Sequence, residues 1–537
     1  MINANQTPIE SRPIVWTIAG SDSGGGAGIQ ADLASLSDLD CHGCSVITAV
    51  TAQSSVAVSL VESVSEKMLL SQLDTLAADL TPAAIKIGLL AEQSQIVCLA
   101  RWLKQQQQVW QQKGISVAVI LDPVMVATCG DALAKAAALD FTPFKGLLAL
   151  ITPNVSELQT LAGKTLDKLE DCISAAKLLS KQLETSVLAK GGDYGPSWCH
   201  EQANDLLVCS DVAGISSQHQ QQSFWLSSPR IDSKNNHGTG CTLSSAIAAV
   251  MAHGFVLNDA VVVAKAYVSA GLLASYQPGC GAGCLARTAW PSDLSLFPYI
   301  KQTTAQDSLP SSVSHCRQIA ATKQAGFIKI DTPLGLYPVV ADIALLEALL
   351  KAGAKTIQLR IKDTNEPTLE EQIIKAIALG RDYRARVFIN DHWQLAIKHQ
   401  AYGVHLGQED LIDSNLSLLR EAGIALGLSS HSYFEILLAK QHQPSYMAFG
   451  HIFATTTKQM PSLPQGLNKL KRYVSLMKDE LPIVAIGGID AERLQSVKTT
   501  GVDDIAMVRA LSEADDPAAA FQALNSAWLE DTSYGTQ

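Results

Sequence analysis

Between residue 14 and about 285 the chain alternates short apolar runs with longer stretches of helical period. The runs "IVWTIAG", "AIKIGLL", "VAVILDPV", "LLALITPN" and "TSVLAKGGD" each end in Gly, Pro, Asn or Asp. Continuous apolar runs that feed such residues read as strands buried on both faces and leading into loops. This is the layout of an N-terminal doubly wound α/β domain, whose ligands sit at the strand ends. From 286 to 330, text such as "PSDLSLFP" and "TTAQDSLPSSVSHC" holds no sustained period and reads as a connector. A second rhythm follows, in eight short runs: "GLYPVV", "TIQLRI", "RVFIN", "GVHLG", "IALGLS", "MAFGHI", "PIVAIGG" and "DIAMVR". Eight βα units predict a C-terminal (β/α)8 TIM barrel, at the compact end of the usual size of about 200 to 250 residues. The expected division is a domain at 1–285, a connector at 286–330 and a barrel at 331–537.

A length of 537 residues also exceeds one ordinary core. With 47% hydrophobic and 17% charged residues and a net charge of −11, the chain reads as globular and offers no basic surface for nucleic acid. Anionic ligands must then be held by local features. The N-terminus "MINANQTPIESRPIVW" is polar, and no later apolar run is long enough to span a bilayer, so a cytoplasmic protein without a membrane partner is expected. Eleven scattered cysteines fit reduced thiols better than a disulfide framework. Cys41 and Cys44 have redox or zinc spacing, but no second such pair completes a metal site; Cys280 and Cys284 lie in a Gly-rich loop. Both pairs read as structural.

Four motifs carry chemistry in the first domain. "AGSDSGGGAGIQAD" (Ala19 to Asp32) is a Gly-rich strand-to-helix loop that lets backbone amides approach a ligand, without the spacing of a P-loop. "ITPNVSEL" sets Asn154 and Glu157 three apart, suited to a Mg²⁺-bound water near a nucleotide; a helix cap followed by an exposed Glu explains the same spacing. "AKGGD" puts Lys190 at a strand end, where a solvated lysine is the plain alternative. In "HGTGC", Gly238, Gly240 and the amides of Thr239 and Cys241 would form an anion hole at a helix N-terminus, aimed at charge developing during phosphoryl transfer.

In the barrel the polar residues fall at the expected C-terminal strand ends. "QLRIK" places Gln358, Arg360 and Lys362 on one face at strand period two, and buried cations there need an anionic partner. Asn390 and Asp391 follow the third strand and Asp410 the fourth; two carboxylates beside Arg and Lys suit one Mg²⁺ bridged to a pyrophosphate. "GLSSH" offers Ser429 and His431, "ATTTK" offers Thr455, Thr457 and Lys458, and Gly487 and Gly488 form a turn after strand seven. That turn, with the residues after strand eight, is the usual phosphate site of such barrels. Taken singly, each has an ordinary explanation: Asp as helix caps, Thr as strand formers, His405 and His431 as satisfied barrel histidines.

The motifs "TIAGSDSGGGAGIQADL", "VITAVTAQ", "IKIGLL", "LDPVM", "TPNVSEL", "AKGGD" and "HGTGCTLSSAIAA" resemble, in order, the hydroxymethylpyrimidine/phosphomethylpyrimidine kinases, which have the ribokinase fold. The resemblance implies ATP-dependent phosphorylation of 4-amino-5-hydroxymethyl-2-methylpyrimidine, then of its monophosphate to the pyrophosphate. It implies that Gln53 hydrogen-bonds the pyrimidine, that Gly20, Ala27, Asp32 and Val124 line its pocket, and that Asn154, Glu157 and Lys190 serve Mg²⁺-ATP. Cys241 stands where sugar kinases of this fold carry an Asp base. A thiolate whose pKa is lowered by the helix N-terminus would serve as that base; alternatively Cys241 is a small residue that fits. Leu89 stands where some relatives have Met.

Residues 333 to 525 resemble thiamin-phosphate synthase. That resemblance implies that Gln358, Arg360, Lys362, Asn390, Ser429 and Lys458 bind the pyrimidine pyrophosphate and that Asp391 and Asp410 bind Mg²⁺. It also implies that Thr455, Thr456, Thr457, Gly488, Val508 and Arg509 hold the thiazole phosphate. His451 and Ala454 replace prolines usual in the family, and Arg509 replaces a serine. The expected protein is a bifunctional kinase and transferase with Mg²⁺ as cofactor, ATP as co-substrate and small-molecule partners, and compatible with a homo-oligomer. The rival readings are a pyridoxal-type kinase joined to a thiazole tautomerase-like barrel, and a barrel that binds ligand without turnover.

Overall fold

The computed structural model describes residues 12–125, 139–166, 169–192, 201–210, 222–303, 326–363, 366–455 and 463–530. The chain divides into two compact units, Met1–Thr322 and Lys323–Gln537. Among the described residues no helix is long and apolar enough to cross a membrane.

The first unit holds ten strands: β1 (Ile14–Ser21), β2 (His42–Gln53), β3 (Val58–Ser63), β4 (Ala84–Ile87), β5 (Ala118–Leu121), β6 (Leu150–Ile151), β7 (Ser186–Ala189), β8 (Gln202–Val208), β9 (Ser223–Pro229) and β10 (Tyr299–Gln302). They form one sheet in the order β10-β9-β8-β7-β6-β5-β4-β1-β2-β3. The centre, from β7 to β2, is parallel, and antiparallel strands extend both edges. β1 lies between β2 and β4, so the chain winds one way and then the other, opening a crevice beyond the carboxyl ends of β1 and β4. All five apolar runs read from the sequence become central strands.

The outer strands carried weaker signals. β3 is an edge strand of intermediate and exposed residues, and "YIKQ" of β10 is too short to show a period. β10 pairs with β9 from Tyr299 opposite Ser227 to Gln302 opposite Phe224, so part of the stretch expected as connector from 286 is sheet. Burying the outer edge of β9 satisfies its backbone groups, a gain that local composition does not reveal.

The core beneath the sheet includes Trp16, Trp102 and Trp110, with ring centroids 6.2 to 6.3 Å apart. The helix Thr239–Ala252, nearly all Gly, Ala, Ser and small apolar residues over its buried face, packs against the helix Gly28–Asp38. Its small side chains let its N-terminus reach the crevice.

In the second unit β11 (Leu336–Val340), β12 (Thr356–Leu359), β13 (Arg386–Asn390), β14 (Gly403–Leu406), β15 (Ala425–Ser430), β16 (Tyr446–Phe449), β17 (Ile483–Ile486) and β18 (Asp504–Met507) close a parallel barrel. β18 pairs back onto β11, leaving no open edge. Each run read from the sequence supplies one strand, so the TIM-barrel expectation holds. Strands buried on both faces are near-continuously apolar, which makes such runs legible.

Candidate active sites

At the crevice, β5 ends in Leu121 and delivers Asp122; β7 ends in Ala189 and delivers Lys190. Lys190 Nζ lies 2.8 Å from Asp122 Oδ1, which also accepts from Thr152 Oγ1 at 3.1 Å. Burial would raise the Asp122 pKa, but Lys190, Lys86 and the hydrogen bonds from Lys190 and Thr152 outweigh it and hold the group below the ordinary carboxylate value. Asn154 pairs with Lys190 as an isolated parallel bridge. A methyl group added at Gly240 would come within 3.3 Å of both Asp122 Oδ2 and Lys190 Nζ. Asn154, Lys190, Gly240 and the unforeseen Asp122 therefore meet at one point. The solvated-lysine alternative does not describe Lys190.

Asn154 and Glu157 form a capping box: Asn154 Oδ1 accepts from the Glu157 amide at 2.9 Å, and Glu157 Oε2 accepts from the Asn154 amide at 2.7 Å. The cap part of the structural alternative is thus realised, with Glu157 buried where an exposed Glu was expected, and the box fixes the loop that carries Asn154 beside Lys190.

Gly238, at φ +81°, starts the helix Thr239–Ala252. The Thr239 amide donates to Asn236 O at 3.3 Å, so of the amides expected in the anion hole that of Thr239 is already engaged. Cys241 lies in the first turn of the helix Thr239–Ala252, and the Gly28 amide, at the start of the helix Gly28–Asp38, acts to lower its thiol pKa. Two such ends would lower a thiol pKa, yet burial, abetted by Asp32 and Asp122, overrides Lys86 and Gly28 and pushes it up to about 11. That direction opposes a thiolate at this position and favours the alternative reading of Cys241 as a small residue that fits.

Asp32 is fully buried and saturated, with Oδ2 accepting from Thr17 Oγ1 at 2.6 Å and Lys86 Nζ at 2.7 Å, and Oδ1 from Ser245 Oγ at 2.7 Å. Burial alone would lower the Lys86 pKa, but Asp32, Cys241 and Asp122 raise it above the ordinary lysine value. Asp32 is therefore an anchor binding strand, helix and anion-hole helix together, where a pocket-lining group was expected. The lysine interrupting the apolar run "AIKIGLL" was the signal for this pair. Gly20, next to last in β1, lies against Leu89, and Leu89 joins Val58, Val61 and Val124 in a small apolar cluster near the end of β2, where Gln53 Oε1 accepts from Thr51 Oγ1 at 3.3 Å. Ala27 donates its amide to Asp22 at 2.8 Å.

In the barrel the described candidate residues all stand at the C-terminal strand ends. Gln358 is the only one of its trio inside a strand; Arg360 and Lys362 continue beyond β12 into the loop. Asn390 ends β13, and Asp391 follows at φ +63°. Burial, together with the nearby Asp410 carboxyl, pushes the Asp391 pKa up to about 6 against the pull of Arg360 and His392. Burial lowers the Arg360 pKa, partly offset by Asp391. A carboxyl pair forced this close requires a proton or a cation between its members, so the donor set fits a hard divalent cation. Among the described residues no group of three or more His, Cys, Asp or Glu forms a metal cluster, so remaining oxygens would come from substrate and water.

Five hydrogen bonds run from Ser429 to Asn390. Tyr337 donates to Gln358 Oε1 at 3.2 Å, and Gln358 Nε2 donates to Asn390 Oδ1 at 2.7 Å. Tyr446 must then donate to Tyr337 at 2.9 Å, His405 Nδ1 to Tyr446 at 2.7 Å, and Ser429 Oγ to His405 Nε2 at 2.8 Å. His405 is thus the satisfied histidine expected, and it also sets the Ser429 hydroxyl. Burial, with Arg360, pushes its pKa down to about 4. Because the unfolded state takes up this proton first, stability is lost as pH falls from about 6.5 toward 4, by roughly 3 kcal/mol at most. The barrel's melting temperature should fall less between pH 7 and 5 in His405→Gln than in the parent; equal falls would contradict the assignment.

Thr455 lies in the loop after β16; Thr456, Thr457 and Lys458 lie outside the described residues. Gly487 and Gly488 turn at φ +104° and +65° beyond β17, where side chains would meet His451 and Phe453. Val508 and Arg509 follow β18 directly.

Two family models match the chain, "Phosphomethylpyrimidine kinase" over residues 22–286 and "Thiamine monophosphate synthase" over residues 336–511. A thiamine-phosphate synthase of Klebsiella pneumoniae subsp. pneumoniae is 55% identical over 193 residues, 36% of this chain and 91% of the relative. A solved phosphomethylpyrimidine kinase of Clostridium difficile 630 is 31% identical, with a TM-score of 0.38, covering 48% of this chain and 98% of its own. The solved pyridoxal kinase of Staphylococcus aureus in complex with pyridoxal is 25% identical, with a TM-score of 0.44, covering 55% of this chain and 99% of its own.

The chain is an enzyme in two parts, a kinase domain followed by a transferase barrel. It belongs to the thiamine-phosphate synthase family through its barrel and to the phosphomethylpyrimidine kinase family through its first unit, and so unites two activities of thiamin biosynthesis. The matches in both units disfavour the pyridoxal-kinase and tautomerase-like alternative.

Proposed function

We propose that the first unit phosphorylates the hydroxymethylpyrimidine twice and that the barrel joins the resulting pyrophosphate to the thiazole phosphate. The pyrimidine would lie on the Leu89, Val124, Val58 and Val61 cluster beside Gly20 and Ala27, with Gln53 fixing its polar edge. Lys190 would hold the ATP phosphates, with Asn154 and Glu157 shaping the adjoining Mg²⁺-ATP loop. The Gly240 and Cys241 amides would stabilise the transferring phosphoryl group, oriented by the turn at Gly238.

In the barrel, Arg360, Lys362, Gln358, Asn390, Ser429 and Lys458 would hold the pyrimidine pyrophosphate. Asp391 and Asp410 would hold Mg²⁺, which would neutralise the leaving group when bound. The C–O bond to pyrophosphate breaks with its electron pair leaving on oxygen, and the pyrimidine 4-amino group stabilises the methylene cation. The thiazole nitrogen then supplies the pair for the new C–N bond. Thr455, Thr456, Thr457, Gly487, Gly488, Val508 and Arg509 would hold the thiazole phosphate, and the enclosed strand ends keep water from the cation. The observation that carries this reading is the paired carboxyls of Asp391 and Asp410 facing Arg360 at adjoining strand ends. We further place both activities in the cytoplasm, on diffusible substrates.

The test supplies each half separately: hydroxymethylpyrimidine with ATP for one, pyrimidine pyrophosphate with thiazole phosphate for the other. Phosphorylated pyrimidine and thiamin phosphate are the expected products; failure of either pair removes that half. Because burial pushes the Cys241 thiol pKa up, away from a thiolate, Cys241→Ala should retain phosphorylation within about tenfold, the amides supplying most of the rate. A loss of roughly 10³-fold or more would restore it as the base.

A further inference from the structure

Asp22 opens the Gly-rich loop, is buried, and gathers four donors on its carboxylate. The Gly24 amide donates to Oδ1 at 2.8 Å; the amides of Gly26 at 3.1 Å and Ala27 at 2.8 Å, and His237 Nε2 at 3.0 Å, donate to Oδ2. Burial pushes the Asp22 pKa up, but His237, Gly24 and Ala27 bring it below the ordinary carboxylate value. His237 immediately precedes Gly238, and its amide donates to Gly283 O at 3.0 Å. Its ring lies against Gly26, where an added Cβ would fall 2.2 Å from His237 Cδ2; a Cβ on Gly238 would fall 2.0 Å from Gly26 O. The loop that borders the pyrimidine pocket and the loop that starts the anion hole are therefore interlocked through glycine backbones and one carboxylate–imidazole contact. Neither Asp22 nor His237 holds substrate or ATP in the reading above.

Resting on that reading, we propose that the Asp22–His237 pair is a positioning latch of the kinase reaction, registering the pyrimidine loop against the anion hole so that the substrate hydroxyl, and not water, receives the phosphoryl group. Displacement of reacting groups by about 1 Å is enough to cost on the order of 10²-fold in rate.

The test measures ADP and phosphorylated pyrimidine separately, in the full chain with ATP, Mg²⁺ and hydroxymethylpyrimidine. His237→Phe keeps a ring over Gly26 and removes the donor; Asp22→Asn removes the charge. Both should lower kcat for pyrimidine phosphorylation roughly 10²-fold with KM for ATP changed less than about threefold, and both should raise ADP formed per phosphoryl group transferred to the pyrimidine above one. His237→Gln, which keeps a donor, should recover most of the coupling. Condensation from supplied pyrimidine pyrophosphate confirms that each variant chain is folded. Variants that keep the parent kcat, or that lose rate with one ADP still formed for each phosphoryl group transferred, overturn the latch. A parent chain that makes no phosphorylated pyrimidine would instead defeat the underlying functional reading.

Discussion

With Asp391 or Asp410 replaced by alanine, condensation should fall by about 10³-fold or more, while phosphorylation of the hydroxymethylpyrimidine proceeds near the parent rate. Burial and the proximity of the two carboxyls push the Asp391 pKa up to about 6. Such a pair is unfavourable unless a cation joins it, and either truncation leaves one ligand where two are needed to hold Mg²⁺ against a pyrophosphate. The effect is confined to the barrel because the residues assigned to phosphorylation all lie in the other compact unit. Assaying both reactions on each variant decides the matter: loss of both together would argue against independent sites, and retained condensation would remove the metal role.

Lys190→Met should lower phosphorylation by roughly 10²- to 10³-fold and leave condensation from supplied pyrimidine pyrophosphate intact. Lys190 is the nearest cation to Asp122, at 2.8 Å, and stands beside Gly240 at the helix start. Its removal takes a positive charge from the place where the transferring phosphoryl group would sit and leaves Asp122 buried with a weaker counterion. The Asp122 pKa should therefore move up from its depressed value, shifting the acid limb of the phosphorylation rate to higher pH. A variant of parent rate with an unchanged acid limb would contradict both roles.

Much of the fold was legible because its strands are buried on both faces and written as apolar runs. All eight barrel strands and five of the six parallel strands at the centre of the sheet announce themselves in this way; β2, with alternating burial, does not. β3 and β10 did not, because an edge strand draws its stability from pairing rather than from its own composition. The candidate residues were legible as positions at strand ends, but not as contacts. Asp32 illustrates the gap: the family resemblance implied a pocket-lining role, whereas Lys86, Thr17 and Ser245 consume its oxygens. Cys241 shows the same limit in electrostatics. A helix N-terminus is visible in sequence, but the burial and neighbouring carboxylates that reverse its effect on the thiol come from distant segments. The Tyr337, Tyr446 and His405 chain joins three strands, so no local spacing could disclose it.

The most direct measurement gives the full chain hydroxymethylpyrimidine, ATP, Mg²⁺ and thiazole phosphate together and follows the products by mass. Thiamin phosphate forming without added pyrimidine pyrophosphate is the result expected of one chain that performs both reactions. Accumulation of pyrimidine pyrophosphate without thiamin phosphate, or no phosphorylated pyrimidine at all, would contradict the account.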